Sequence, residues 1–284
     1  MTEFTDSYWH SRDGLKLHYR DYAGRADRPP VLCLPGLTRN ARDFEGLAAE
    51  LAGEWRVICP DLRGRGDSAY AKDSASYNPL QYADDIGALF EQAELGPVVA
   101  IGTSLGGLIT MITAMTAPDR LAGAALNDIG PEVDAAGIER IRGYVGQGRS
   151  FPTWMHAARA LEEAQGESFP RFEIADWLVM AKRCMTLGSN DRIVFDYDMK
   201  IAEPFESNAD GGVDLWPALD GLAGKPVLVL RGETSDILTP ATVARMAEHL
   251  PDAETVTIPQ VGHAPTLDEP EARAAIQRLL SRIA

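Results

Sequence analysis

Val98-Val99-Ala100-Ile101-Gly102-Thr103-Ser104-Leu105-Gly106-Gly107 reads as a buried strand that turns through Gly-X-Ser-X-Gly into a helix. A serine raised on so tight an elbow needs nearly bare neighbours two residues away on each side, and Gly102 and Gly106 supply them. The same turn sets the backbone N–H of Leu105 at a helix N-terminus, where unsatisfied donors and the helix dipole favour a developing negative charge. Ser104 is therefore the leading candidate for a nucleophile and Leu105 for an oxyanion donor.

Outward from the elbow, short apolar runs alternate with longer amphipathic ones. Strands are expected over residues 15–22, 30–34, 55–60, 97–101, 123–127, 226–230 and 254–258. Helices are expected over 40–52, 79–95, 105–117, 240–250 and 269–283, where apolar residues recur at three- and four-residue spacing. This rhythm implies right-handed βαβ crossovers: an α/β fold with a mainly parallel central sheet and helices on both faces, its ligand bound beyond the carboxyl ends of the strands. Between about Pro131 and Pro217 strand-like runs disappear, and the text becomes helical and rich in aromatics and methionine, including Phe151, Trp154, Met155, Phe172, Trp177 and Met180. The expected organisation is a core of residues 1–130 and 217–284 and a helical cap of residues 131–216, laid over the edge that presents Ser104. Trp154 and Trp177 are candidate substrate contacts there, although aromatics of a cap also form its own core.

The chain has 284 residues and a formal net charge of −15. An acidic surface argues against nonspecific attraction to nucleic acid or to anionic membrane, both of which require basic residues. The first ten residues lack the basic and apolar regions of a secretory signal, and no later stretch approaches a membrane span, so a cytoplasmic protein acting on a small molecule is expected. Cys33, Cys59 and Cys184 are odd in number and lack metal-ligand spacing, which points to small buried hydrophobes. No zinc spacing and no dinucleotide fingerprint occurs, so the expected chemistry needs neither metal nor cofactor.

A serine hydroxyl needs a general base, and that base needs a third group to fix its tautomer. Of five histidines, His10 and His18 fall in the first, antiparallel strands, His156 in the insertion and His249 near a helix end. His263 follows the last strand, in Pro259-Gln260-Val261-Gly262-His263-Ala264-Pro265, a loop on the expected active edge. For the acid, Asp236 stands just beyond the penultimate strand and gives the chain order Ser, Asp, His; Asp128, also at a strand end, competes, and Glu233 is weaker. The Arg63-Gly64-Arg65-Gly66 loop lacks the Lys-Ser/Thr of a phosphate-binding loop and reads as a structural turn, with Arg63 pairing Asp61 or a neighbouring acid.

Taken together, the elbow, the loop Asp61-Leu62-Arg63-Gly64-Arg65-Gly66-Asp67-Ser68, the Gly-Glu-Thr-Ser-Asp segment ending at Asp236, and Gly262-His263 resemble the α/β-hydrolase superfamily over essentially the whole chain. The similarity is to the capped branch that holds esterases, lactonases, C–C bond hydrolases and haloperoxidase-like proteins. That resemblance implies a second oxyanion donor from the loop after the third strand, the N–H of Leu37, with Thr38 beside it contacting ligand or capping the next helix. Many relatives carry His-Gly where this chain has Pro35-Gly36, which removes a side chain that often braces the loop. A serine rather than an aspartate at the elbow disfavours haloalkane dehalogenase and epoxide hydrolase chemistry. The expected activity is cofactor-free hydrolysis of a small or medium, largely apolar ester or lactone. C–C bond hydrolysis of vinylogous diketones, and a ligand-binding receptor on the same fold, stand as the alternatives.

Overall fold

The computed structural model describes residues 3–207 and 214–283, with the side chains of 205–207 left aside. Eight strands form one sheet: β1 (Thr5–His10), β2 (Lys16–Tyr22), β3 (Val31–Leu34), β4 (Val57–Pro60), β5 (Val98–Thr103), β6 (Leu121–Asn127), β10 (Val227–Gly232) and β11 (Glu254–Ile258), in the spatial order β1-β2-β4-β3-β5-β6-β10-β11. The β1–β2 and β2–β4 pairings are antiparallel and all the others parallel. Helices α1 (Glu45–Leu51), α2 (Pro79–Gln92), α3 (Leu105–Thr116) and α8 (Pro240–His249) fill the crossovers, and α9 (Pro270–Ser281) follows the last strand. Sequence chemistry sets where they begin. Asn78 and Thr239 each accept a backbone N–H three residues on, and Pro79 and Pro240 occupy the first helical positions, where a missing N–H costs nothing.

Alternation along the central strands builds two apolar layers, one on each face. Leu32, Leu34, Val98, Ala100, Val227 and Val229 pack with α2 and α3, whereas Val31, Cys33, Val99, Ile101, Leu228 and Leu230 pack with α1 and α9. All three cysteines are buried and free, as small core residues. Among the described residues no helix is long and apolar enough to cross a membrane.

Between β6 and β10 lie α4 (Ala135–Arg142), α5 (Trp154–Gln165), α6 (Ile174–Cys184) and α7 (Ala202–Ser207), but the segment is not purely helical. Three short strands, β7 (Ser150–Phe151), β8 (Met185–Leu187) and β9 (Ile193–Phe195), form an antiparallel sheet in the order β7-β9-β8. Runs of two or three residues are too short to carry a period-two signal, which is why the sequence reading gave helices alone.

Candidate active site

Ser104 stands between β5 and α3 with φ 53°, in the left-handed region that a serine seldom occupies. The surrounding chain over-determines this conformation. A Cβ on Gly102 would lie 2.4 Å from the carbonyl oxygen of Gly106, and one on Gly106 would lie 2.0 Å from that of Leu34. The Ser104 N–H donates to the Asn127 carbonyl at 3.0 Å, tying the elbow to the end of β6, and its carbonyl accepts from Gly107 and Leu108 in the first turn of α3. The hydroxyl is thereby aimed off the carboxyl end of the sheet rather than into the helix.

His263 meets it from the loop after β11. Its Nε2 lies 2.9 Å from Ser104 Oγ, and its Nδ1 lies 2.7 Å from Asp128 Oδ2. Two contacts hold that loop in place: Asn127 Nδ2 donates to the Pro265 carbonyl at 2.8 Å, and the Gly262 N–H donates to the Ser168 carbonyl of the insertion at 2.7 Å. An ionised carboxylate can only accept, so the bond to Asp128 places the hydrogen of the neutral imidazole on Nδ1. Nε2 is left with a lone pair facing the serine hydroxyl.

Asp128 is held more firmly than either partner. It follows β6 with φ 57° and donates its N–H to the Leu230 carbonyl at 2.8 Å, while its side chain is fully buried. Its Oδ1 accepts from the Gly232 N–H at 2.8 Å and its Oδ2 from Ser235 Oγ at 2.6 Å, in addition to His263. These donors satisfy and orient the buried carboxylate.

Asp236, the acid favoured on chain order, is not the partner of His263. Its carboxylate turns outward to Arg140 of α4, which grips it with Nε and, at 2.8 Å, with Nη2. That hydrogen bond, above all, holds the Asp236 pKa below its ordinary value. The reason lies in the turn after β10, where the Ser235 hydroxyl also accepts the N–H groups of Ile237 and Leu238. Ser235 therefore faces the site, and Asp236, one residue on, faces α4. Glu233 is likewise elsewhere, its carboxylate accepting the Gln260 N–H.

Leu105 is the first residue of α3, so its N–H has no acceptor within the helix. The loop after β3 lies against the elbow: a Cβ on Gly36 would stand 3.8 Å from Ser104 Cβ. This brings Leu37, the second expected donor, and Thr38 into the same corner. The Leu37 carbonyl is gripped by two N–H groups of Arg65 at 2.9 and 2.8 Å, a contact the sequence reading did not contain. Arg63 pairs with Asp85 and Asp13 rather than with Asp61. Asp61 instead takes His18 Nδ1 at 2.7 Å and the N–H groups of Ala41 and Asp67.

His18, Asp61 and Asp67 offer ligand atoms within 4.8 Å of one another, the one such grouping among the described residues. Both ring nitrogens of His18 are already bonded to carboxylates, Asp61 on one side and Asp6 on the other. Burial opposes charging this ring, but the two carboxylates outweigh it and raise its pKa. The two carboxylates thus tie His18 between β1, β2 and the loop after β4, with both ring nitrogens engaged.

Of the aromatic candidates, Trp177 is not a substrate contact: it is buried against Phe169 and Phe172 at ring distances of 6.0 and 5.1 Å, inside the insertion's own core. Trp154 opens α5 and packs, half-buried, on the same cluster. A groove of about 330 Å³ runs between α6 and the chain that follows β11, lined by Phe169, Phe172, Val179 and Met180 together with the charged Arg39, Arg171, Asp176, Arg183, Asp268, Glu269 and Glu271; neither Ser104 nor His263 lines it. Phe172, unlike Trp177, reaches open space.

Comparison with known proteins shows the family of the chain. Residues 31–276 match the model of the alpha/beta hydrolase family. The chain is 34% identical over 263 residues to the 3-hydroxybutyrate-oligomer hydrolase of Cupriavidus necator, covering 90% of this chain and 89% of that one. It is 26% identical to the 2-(acetamidomethylene)succinate hydrolase of Mesorhizobium japonicum over 83% of this chain and 81% of that one. A crystal structure of an alpha/beta hydrolase from Novosphingobium aromaticivorans superposes with a TM-score of 0.96 at 63% identity, over the full length of both chains.

Proposed function

The chain belongs to the alpha/beta hydrolase family, and from that premise we propose that it is a serine hydrolase of carboxylic esters, with Ser104, His263 and Asp128 as nucleophile, base and orienting acid. The observation that carries the reading is the continuous hydrogen-bonded chain from Ser104 Oγ through both nitrogens of His263 to a buried carboxylate. Ser104 Oγ attacks the ester carbonyl carbon as its proton passes to His263 Nε2. The oxygen that becomes negative accepts the N–H groups of Leu105 and Leu37. As the C–O bond breaks, the imidazolium returns its proton to the leaving alcohol; water, deprotonated by the same nitrogen, then releases the acid and restores the serine. Asp128 stays charged throughout, holding the imidazole and stabilising its cation.

The substrate reading is an oxyester of a short hydroxy acid, such as a 3-hydroxybutyrate dimer or trimer. It is supported by the name and the 34% identity of the Cupriavidus necator relative. The boundaries 131–216 for a cap belong to the same proposal: the Gly262–Ser168 contact has this segment bracing the histidine loop. Turnover of 3-hydroxybutyrate dimer and of 4-nitrophenyl butyrate, with Ser104→Ala as control, tests the reading. Loss of at least about 10⁴-fold in kcat for both substrates is expected. Full activity in a folded Ser104→Ala protein contradicts it.

A further inference from the structure

Arg65 is wholly buried, yet among the described residues every hydrogen bond of its side chain ends on a neutral oxygen. Nε and Nη2 converge on the Leu37 carbonyl at 2.9 and 2.8 Å, and Nη1 is shared between the Arg63 carbonyl at 2.7 Å and the Tyr82 hydroxyl at 2.9 Å. The guanidinium also lies over the Tyr82 ring, 4.7 Å from its centroid. Its neighbour Arg63 behaves as a buried arginine ordinarily does, paired to Asp85 and Asp13. Burying a cation without a carboxylate is costly, and a well-packed apolar residue is the cheaper filling for such a place. What the guanidinium supplies that an apolar side chain cannot is a rigid fork that fixes one carbonyl in space.

We infer that Arg65 is the positioning residue of the oxyanion loop: it clamps the Leu37 carbonyl so that the preceding Leu37 N–H is held toward the oxygen that becomes negative. The inference rests on the serine-hydrolase reading. Two features give it weight. Gly36 packs beside Ser104 Cβ, so a small shift of this loop moves the donor relative to the nucleophile. The clamp is itself anchored: Arg65 bridges to Tyr197 of the insertion, the Gly66 N–H donates to Asp196, and the Asp198 N–H donates to Gly64. The loop after β4 is thus a spacer between the insertion and the oxyanion corner.

A positioning role predicts a selective effect. In Arg65→Lys, which keeps the charge and loses the fork, and in Arg65→Met, which loses both, kcat for 4-nitrophenyl butyrate should fall about 10-fold and about 100-fold, with KM within about threefold of wild type. Tyr82→Phe, which frees one side of the guanidinium and leaves the core apolar, should lower kcat about threefold, again without a change in KM. Folded Arg65 variants that keep wild-type kcat overturn the inference; should neither fold, an unchanged kcat in Tyr82→Phe does so. Equal losses in kcat and rises in KM also count against it, because a merely structural defect spreads over both. Full activity in Ser104→Ala removes the serine reading and this one with it. A dead Ser104→Ala beside fully active Arg65 variants removes this one alone.

Discussion

Two turns at the carboxyl edge of the sheet each present an aspartate, and they do opposite things with it. After β6, Asp128 takes a left-handed backbone conformation, goes fully under the surface and gathers the Gly232 N–H, the Ser235 hydroxyl and His263 Nδ1. After β10, Asp236 is a third exposed and spends both oxygens on Arg140. The difference shows that a carboxylate's role is decided by where its turn points it, not by its rank along the chain. The turn after β10 still serves the site, because its Gly232 and Ser235 are the donors that hold Asp128.

The comparison breaks most easily at its buried member. Asp128→Asn keeps the shape but offers His263 Nδ1 an amide that can present N–H as well as C=O, so the imidazole loses its preferred tautomer; kcat should drop about 10³- to 10⁴-fold in steady-state ester hydrolysis. Ser235→Ala removes one of the donors fixing that carboxylate and the acceptor of the Ile237 and Leu238 N–H groups, so it should lower kcat about tenfold and cost about 1–3 kcal/mol of stability, as parallel kinetics and melting would show. Asp236→Asn should leave kcat within about threefold. Its effect belongs to stability. The Asp236 pKa is depressed in the folded protein, chiefly by Arg140, so its contribution is present above the ordinary aspartate value of about 3.9 and is lost as pH falls through the depressed one. At one-third exposure that contribution is at most about 1 kcal/mol. Melting curves of wild type and Asp236→Asn between pH 7 and pH 3 should therefore converge at the acid end; curves that diverge there would contradict the assignment.

How much of this was legible in the sequence follows from the range over which each signal acts. The central strands and their helices announce themselves through period-two and period-3.6 patterning, and the prolines at positions 79 and 240 mark helix starts to the residue. The elbow was equally readable, because Gly102 and Gly106 stand two residues on either side of Ser104, although the contact that excludes a side chain at Gly106 is with Leu34, far earlier in the chain. His263 was found from its place after the last strand. Asp128 was visible as a candidate but outranked, because the β5-β6-β10 strand order that sets it beside both Ser104 and the turn after β10 is a property of the assembled sheet. The small sheet of the insertion left no periodic trace. Arg65 read as part of a turn because its acceptor, the Leu37 carbonyl, lies 28 residues earlier and carries no side-chain signature at all. Local rules recovered what is held locally, and long-range polar contacts had to be seen.

The most direct test of the Ser104–His263–Asp128 assignment is the second-order rate at which an alkyl fluorophosphonate labels Ser104, read by intact mass and peptide mapping in wild type, Asp128→Asn and Asp236→Asn. The account predicts one adduct on Ser104, formed at the wild-type rate in Asp236→Asn and at least about 10³-fold more slowly in Asp128→Asn. A Ser104 that stays unlabelled in the wild type, or a reversal of the two aspartate variants, would contradict it.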